Sequence, residues 1–440
     1  MRLLLAVLGC AAHAQQDSAQ VHYDAGVAAL QSKDAVTAQA ELSACVQVDP
    51  THVECHWELG WAYWLLEDWD HVVSTWETVK VLQPDHGTVD QYLPTARSNR
   101  DLLSTVANLD STPAPTASAD SQLRLRAVGD VMLGTDFPKG VLPPNDGADM
   151  LTAVNGMLQD ADLTFINLEG PLCDGGTTNK CRPDSNCYAF RSPTRYGDYL
   201  AAAGVDLAST ANNHAGDFGE FCRTQTEQTL EGLGIAYSGR PGTIASVEVD
   251  GLKVAMIGFH TSRSGHYVND HEQAAELVSA LDASHNIVIV SFHGGAEGSK
   301  ALHVPQGRET FYGEDRGHLR EFTHVVVDAG ADLVLGHGPH VPRAMEVYND
   351  RLIAYSLGNF ATYGRFNLSG PLGVGLVLEV ELDGEGRFVA GQILPTKQVG
   401  EGVPVPDEDA KAVSLVAKLT AEDFPSTGVV VHTDGRLSAP

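Results

Sequence analysis

Five short polar clusters, each set just after an apolar run of strand length, constrain this chain more than any other feature. Gly129-Asp130 follows Leu123 to Val128, Asn167-Leu168-Glu169-Gly170 follows Leu163 to Ile166, and Asn212-Asn213-His214 follows Val205 to Ala208. His293-Gly294-Gly295 follows Ile287 to Phe292, and Gly336-His337-Gly338-Pro339-His340 follows Leu333 to Leu335. Helical stretches such as Met150 to Asp160, Pro193 to Ala203, Thr224 to Leu233 and Glu272 to Ala283 alternate with these runs, which is the α/β pattern. In such sheets the carboxyl ends of parallel strands open into one crevice, so groups spread over roughly two hundred residues can converge there. Carboxylate, amide oxygen and imidazole are the usual protein ligands of divalent metals, and a hydrolytic metal centre is the natural expectation.

Further strands surround this series. Ile244 to Val249 and Lys253 to Phe259 flank Asp250-Gly251, a hairpin signal. Leu352 to Ser356, Val374 to Leu382 and Phe388 to Leu394 follow, the last two separated by Asp383-Gly384. Two sheets with helices outside suit this order better than one doubly wound sheet. Residues 401–440 form a carboxy-terminal tail in which only a helix around Asp407 to Leu419 is legible.

Residues 17–105 repeat at a fixed offset. Gly26 and Gly60 are 34 apart, as are Ala28 and Ala62, and Pro50 and Pro84. Leu59-Gly60-Trp61-Ala62-Tyr63, followed by Val72, Trp76 and Pro84, resembles the tetratricopeptide repeat (TPR). A small α-helical TPR solenoid of two copies, capped by a helix over Thr88 to Leu103, is expected. Its tryptophans, Trp57, Trp61, Trp64, Trp69 and Trp76, either serve a protein-docking surface or pack the helices. The Pro-, Ser- and Thr-rich Ser111 to Ala119 lies within a linker over 106–121, ahead of an α/β domain over 122–400.

The net charge of −29, from 57 acidic and 28 basic residues, argues against nucleic acid or anionic lipid as a partner. An anionic substrate needs local cations. Residues 1–14 read as a secretory signal with cleavage near Ala12-His13-Ala14, or as a lipoprotein signal in which Val7-Leu8-Gly9-Cys10 makes Cys10 the lipidated first residue. Either route places the chain in the periplasm or cell envelope, and no later stretch is apolar enough to span a membrane. Setting Cys10 aside leaves six cysteines: Cys45, Cys55, Cys173, Cys181, Cys187 and Cys222. The last four lack a C-x2-C element, so disulfides are favoured over a zinc cluster, with Cys45–Cys55 the expected pair and the other connectivities open.

The blocks Val128-Gly129-Asp130-Val131-Met132-Leu133-Gly134, Asn167 to Gly170, Ala211 to Gly219, Gly330-Ala331-Asp332 through Gly336 to His340, and Tyr355-Ser356-Leu357-Gly358-Asn359-Phe360 resemble bacterial capsule-synthesis proteins of the CapA/PgsA type, associated with poly-γ-glutamate. The likeness spans about Leu123 to Leu394. That family in turn resembles calcineurin-like metallophosphoesterases, which implies a four-layered αββα sandwich holding one or two divalent ions, Mn, Fe or Zn, at strand ends. Carried over residue by residue, the resemblance implies metal ligands Asp130, Glu169, Asn213, His293, His337 and His340. His214 would approach the leaving group as a general acid or cation, with Asp217 to orient it. Asn167 and Glu297 fall at the substrate rim. Phosphoesterases carry histidine two residues after the first aspartate, where this chain has Met132, so one ligand of one metal is missing.

The function so implied is an exported capsule or poly-γ-glutamate synthesis protein with a phosphoesterase-type, metal-dependent hydrolase site, acting on a phosphoester or an anionic envelope polymer. The other reading is a non-catalytic envelope-polymer binding or assembly scaffold that uses the repeats. Each residue also has an ordinary structural role open to it: Asp130 as a turn cap, Asn212-Asn213 as turn formers, His293 as a hydrogen-bonded strand-end residue. His260, His266, His271, His303 and His318 read as surface or loop residues.

Overall fold

The computed structural model describes residues 18–108, 112–118, 120–138, 140–178, 180 and 188–440. The chain divides into two compact units, Met1–Ala107 and Asn108–Pro440.

The first unit is helical, with helices over 18–31, Ala35–Val48, Val53–Leu65, Trp69–Leu82 and Gly87–Asn108. Two local devices recur 34 residues apart. Asp34 and Asp68 each cap the following helix, accepting from the amides of Thr37 and His71. A Cβ at Gly26 would collide with Leu42, and one at Gly60 with the Trp76 indole, so each glycine permits a close helix approach. Trp76 is fully buried, with Trp57 stacked on it at 5.1 Å and Trp61 edge-on at 5.2 Å. These rings therefore fill the space between helices. Cys45 is bonded to Cys55, tying the second helix to the third.

The second unit holds two large mixed sheets with helices, and the α/β expectation stands at that level. In the first sheet Gln122–Met132 runs parallel to Leu163–Leu168 and Asn359–Thr362, and antiparallel to Val374–Asp383. Leu207–Ser209 and Ala236–Ser238 continue it in parallel, while Phe388–Val399 extends the other side. The second sheet sets Leu252–His260, Ile287–His293, Leu333–His337 and Arg351–Ala354 in parallel. Alternation decides what each face meets. Leu125, Ala127 and Phe165 of the first sheet share one buried core with Val254, Met256, Ile289 and Leu335 of the second. The opposite residues of the first sheet, Val128, Ile166 and Ala208, pack with Leu158, Leu200 and Leu230 of helices and turns. On the second sheet Phe259 and Phe292 meet Phe322 of the helix Leu319–Asp328.

Residues 401–440 are woven into this unit. Val403–Pro406 and Arg436–Ser438 pair with Phe388–Val399, and Val413, Val416 and Leu437 enter the shared core. Only these long-range contacts give the mixed local sequence its place. Among the described residues no helix is long and apolar enough to cross a membrane.

Candidate metal centre

The register of the sheets gathers the polar strand ends into two rows. In the first sheet Asp130 lies opposite Asn167, and Asn167 opposite Ser209. In the second, His260, His293 and His337 stand side by side on three adjacent parallel strands. A Cβ at position 129 would run into the Gly358 carbonyl, so glycine is needed for the chain to reach Asp130. The final block turns sharply at Gly338, and His340 itself has φ 60°, a left-handed conformation that costs free energy in a non-glycine residue. That turn sets the His340 ring against Asp130.

Asp130, Glu169 and His293 are buried and present ligand atoms all within 4.8 Å of one another. His340 Nδ1 donates to Asp130 Oδ2 at 2.8 Å. Asn167 is fully buried rather than at a rim, and its amide donates to Asp130 Oδ1 at 2.8 Å and Glu169 Oε2 at 3.1 Å. Glu297 is partly exposed, lying 3.0 Å from Arg316 Nη2 and 3.9 Å from His340 Nε2.

Several ligand atoms have no protein partner. Among the described residues, Glu169 Oε1, Asn213 Oδ1 and both ring nitrogens of His293 and His337 are buried without a hydrogen bond. His337 Nδ1 is 3.6 Å from Asp130 Oδ1, too far for one. Buried polar atoms are nearly always satisfied. An unsatisfied set of one carboxylate oxygen, one amide oxygen and two imidazoles is the donor chemistry of a divalent ion, so the residues fit a metal.

The electrostatics agree. Burial opposes ionisation of Asp130, but His337 and His340 outweigh it and hold the carboxyl well below its usual range. Burial, reinforced by the Asp130 charge, pushes Glu169 well above. Burial disfavours the His340 cation, yet the Glu169 and Asp130 carboxyls raise it to about 10. Burial and the nearby Arg316 keep His293 neutral, which leaves it a lone pair.

Beside this cluster His214 Nδ1 donates to Asp217 Oδ2 at 2.7 Å. Asp217 Oδ1 also accepts from Lys180 Nζ at 2.7 Å, and Asp217 Oδ2 from the Phe190 amide. Burial lowers the His214 pKa despite Asp217, favouring the neutral ring. Asn212 is a turn former: its Oδ1 accepts from the amides of His214 and Ala215, presenting the next two side chains. Met132 is fully buried, its sulfur accepting from the Gly134 amide. Cys173 is bonded to Cys222, whereas Cys181 and Cys187, like Cys10 and the signal segment, lie outside the described residues.

The surface reading of the remaining histidines needs correction. His260 and His266 are buried at 5% and 3% exposure, because both belong to the second sheet. His303 is largely exposed, and His318 caps a helix. His260 follows the apolar run Lys253 to Phe259, so the strand-end signal that marks the five clusters also marks it. Lys180 had no local signal; it meets Asp217, 37 residues on, only in the folded chain.

An α/β unit whose parallel strand ends close on a buried carboxylate–imidazole cluster defines the class of molecule. The chain belongs to the family described as bacterial capsule synthesis protein PGA_cap, whose family model matches residues 124–363. It is similar to the "PGA biosynthesis protein CapA" of Bacillus subtilis (strain 168), with 24% identity over 333 residues, 71% of this chain and 81% of that one. Similarity also extends to the "Capsule biosynthesis protein CapA" of Bacillus anthracis, 26% identical over 262 residues, 55% of this chain and 60% of the relative. A "probable polyglutamine synthesis accessory protein" of Mycobacterium tuberculosis is 27% identical over 225 residues, 45% of this chain and 55% of that one.

Proposed function

We propose that this protein is an exported accessory component of capsule or poly-γ-glutamate synthesis whose α/β unit carries a metal-dependent hydrolase site of the phosphoesterase type. The observation that carries this reading is the set of buried, unpaired ligand atoms on Glu169, Asn213, His293 and His337. The relatives named for capsule and PGA biosynthesis support the biological setting. Two sheets sharing a core, with helices on their outer faces, support a metallophosphoesterase-like αββα sandwich. Repeated caps and glycine contacts at the 34-residue offset support a TPR-like helical unit over 17–105. The disulfides Cys45–Cys55 and Cys173–Cys222 favour an oxidising compartment, in keeping with a signal at 1–14 and, in its lipidated form, an anchor at Cys10.

Asp130, Glu169 and His293 would hold an ion, with the unbonded atoms of Asn213 and His337 and the His340 ring as further ligands. With Met132 where the resemblance implies a ligand, the site would take one or two ions. A divalent metal bound there supplies Lewis acidity, polarising a phosphoryl or carbonyl oxygen and lowering the pKa of water. The chain's own groups do the rest. Asp217 fixes the Nδ1 proton of His214, so Nε2 is the atom that exchanges a proton with a substrate oxygen. Lys180 balances the Asp217 charge and adds a local cation in a strongly acidic protein. Asn167 holds the two carboxylates apart at fixed separation.

Elemental analysis of the purified chain after dialysis without chelator tests this reading, beside the His293→Ala and His337→Ala variants. Near-stoichiometric Mn, Fe or Zn, lost in both variants, is the expected result, followed by turnover in a phosphodiester and γ-glutamyl substrate screen. A native chain that takes up no metal when offered it would retire the hydrolase and leave a polymer-binding or assembly scaffold.

A further inference from the structure

A cleft of about 690 Å³ opens beside the cluster, lined by Asn213, Asp217, Lys180, Arg223 and His260. His260 is the third histidine of the second-sheet row, with its ring centroid 5.8 Å from that of His293. Its position invites a ligand role, but its hydrogen bonding forbids one. The Ser262 backbone amide donates to His260 Nδ1 at 3.0 Å. A backbone N–H can only donate, so Nδ1 carries the lone pair and the neutral ring bears its proton on Nε2. Nε2–H is buried and has no hydrogen-bond partner among the described residues. It is a donor waiting for an acceptor, not a metal ligand.

Two neighbours select the same kind of acceptor. The helix Gly219–Gly232 opens on the cleft at Gly219, and no side chain caps its amino end, where backbone amides and the helix dipole favour negative charge. Arg223, in the second turn of that helix, is mostly buried, and its fork reaches Ser264 O at 3.3 Å and Ser264 Oγ at 3.1 Å. Of the acids on the cleft, Asp217 is paired with Lys180 and Asp315 with Arg308, while the exposed Glu314 lies 3.7 Å from Arg316, which also pairs with Glu297. Glu220, in the first turn of that helix, is paired with Arg240 at 2.6 Å and lies 3.8 Å from Arg223 Nε, so the shorter pair leaves most of the Arg223 charge to the cleft.

We propose that His260 Nε2–H, with Arg223 and the amino end of the Gly219–Gly232 helix, forms a subsite for an oxyanion group of the substrate, a phosphate or a carboxylate. This rests on the reading that the cleft beside the metal centre takes the substrate. His260 is then a substrate-binding residue that sets which oxyanion lies next to the reacting atoms.

Calorimetric titration of the full chain with inorganic phosphate and, separately, with γ-glutamyl-glutamate tests the subsite, using the native protein, His260→Phe and His260→Gln. His260→Phe should weaken at least one probe roughly tenfold, as loss of a hydrogen bond to a charged group does, while His260→Gln, which keeps an N–H donor, retains most of the affinity. The probe that responds identifies the source of the oxyanion. Metal content should be unchanged in both variants. Long-range ¹H–¹⁵N spectra of histidine-labelled chain, with the His260 signal identified by its loss in His260→Gln, should report the Nε2–H tautomer. An Nδ1–H tautomer, loss of metal with His260→Gln, unchanged affinity for both probes in His260→Phe, or no binding of either probe by the native chain would each overturn the proposal. If the native chain takes up no metal but His260→Phe still weakens anion binding, the subsite stands and the hydrolase reading falls.

Discussion

The ends of the two sheets face the same problem of buried polar groups and solve it differently. At the end of the first sheet, Asp130 is paired with His340, and Asn167 bonds Asp130 to Glu169, so that half is largely satisfied by the protein itself. At the end of the second, the ring nitrogens of His293 and His337 make no hydrogen bond among the described residues, and His337 Nδ1 stands 3.6 Å from Asp130 Oδ1. The first-sheet half still leaves Glu169 Oε1 without a hydrogen bond among the described residues, so it too presents an open ligand atom. The other carries the desolvation of two imidazoles without a hydrogen bond in return, a cost that a bound ligand would offset.

Four experiments bear on that contrast, ranked by their expected effect on the metal-free chain. Asp130→Ala leaves the His340 cation buried without its hydrogen-bond partner, and denaturant unfolding should show a loss of about 3–5 kcal/mol. A much smaller loss would mean the first-sheet half is not self-sufficient. The second is pH. The His340 pKa is raised from 6.5 to about 10, so its stabilisation is complete below about 6.5 and disappears as pH rises through about 10. Glu169, also raised, acts in the same direction from its ordinary range upward. Thermal melts of metal-free protein should therefore fall from near neutral pH toward pH 10, and metal uptake should release protons, measured as a buffer-dependent heat.

His293→Leu should come third, changing metal-free stability by no more than about 1 kcal/mol in either direction, because an unsatisfied polar group is replaced by an apolar one. The same variant should lose metal uptake entirely. A large destabilisation would show that His293 has a structural partner after all. Lys180→Met should have the smallest effect, less than about 1 kcal/mol, since the lysine is substantially exposed. Removing its charge should nonetheless move the His214 titration upward, because Lys180 disfavours the imidazolium. Histidine NMR titration of the metal-free chain reads that shift directly.

Much of this arrangement is legible in one dimension. Asp130, Glu169, Asn213, His293, His337 and His340 each stand at or just past an apolar strand-length run, and parallel strands end on one side of a sheet. The 34-residue offset of Gly26 with Gly60 likewise carries directly into matching contacts with Leu42 and Trp76. Roles were harder to read than places. Asn167 looks like a rim residue until it is seen between two carboxylates, and Asn212 is distinguished from Asn213 only by which amides its oxygen meets. His260 shares the strand-end signal of His293 and His337 but not their unbonded pair of ring nitrogens, because the Ser262 amide donates to its Nδ1.

The sequence by itself determined the periodicities: α/β alternation, the helical repeat, and ligand-type residues at strand ends. These are local patterns of burial and backbone geometry, set by side chains within a few residues of one another. The tertiary structure alone decided which polar atoms are satisfied. Hydrogen-bond satisfaction depends on partners as far apart as Asp130 and His340, on the left-handed turn that aims His340, and on a loop that delivers Lys180. Whether a buried histidine is a base, a donor or a ligand follows from that closure, since each ring nitrogen takes its role from the atom it faces.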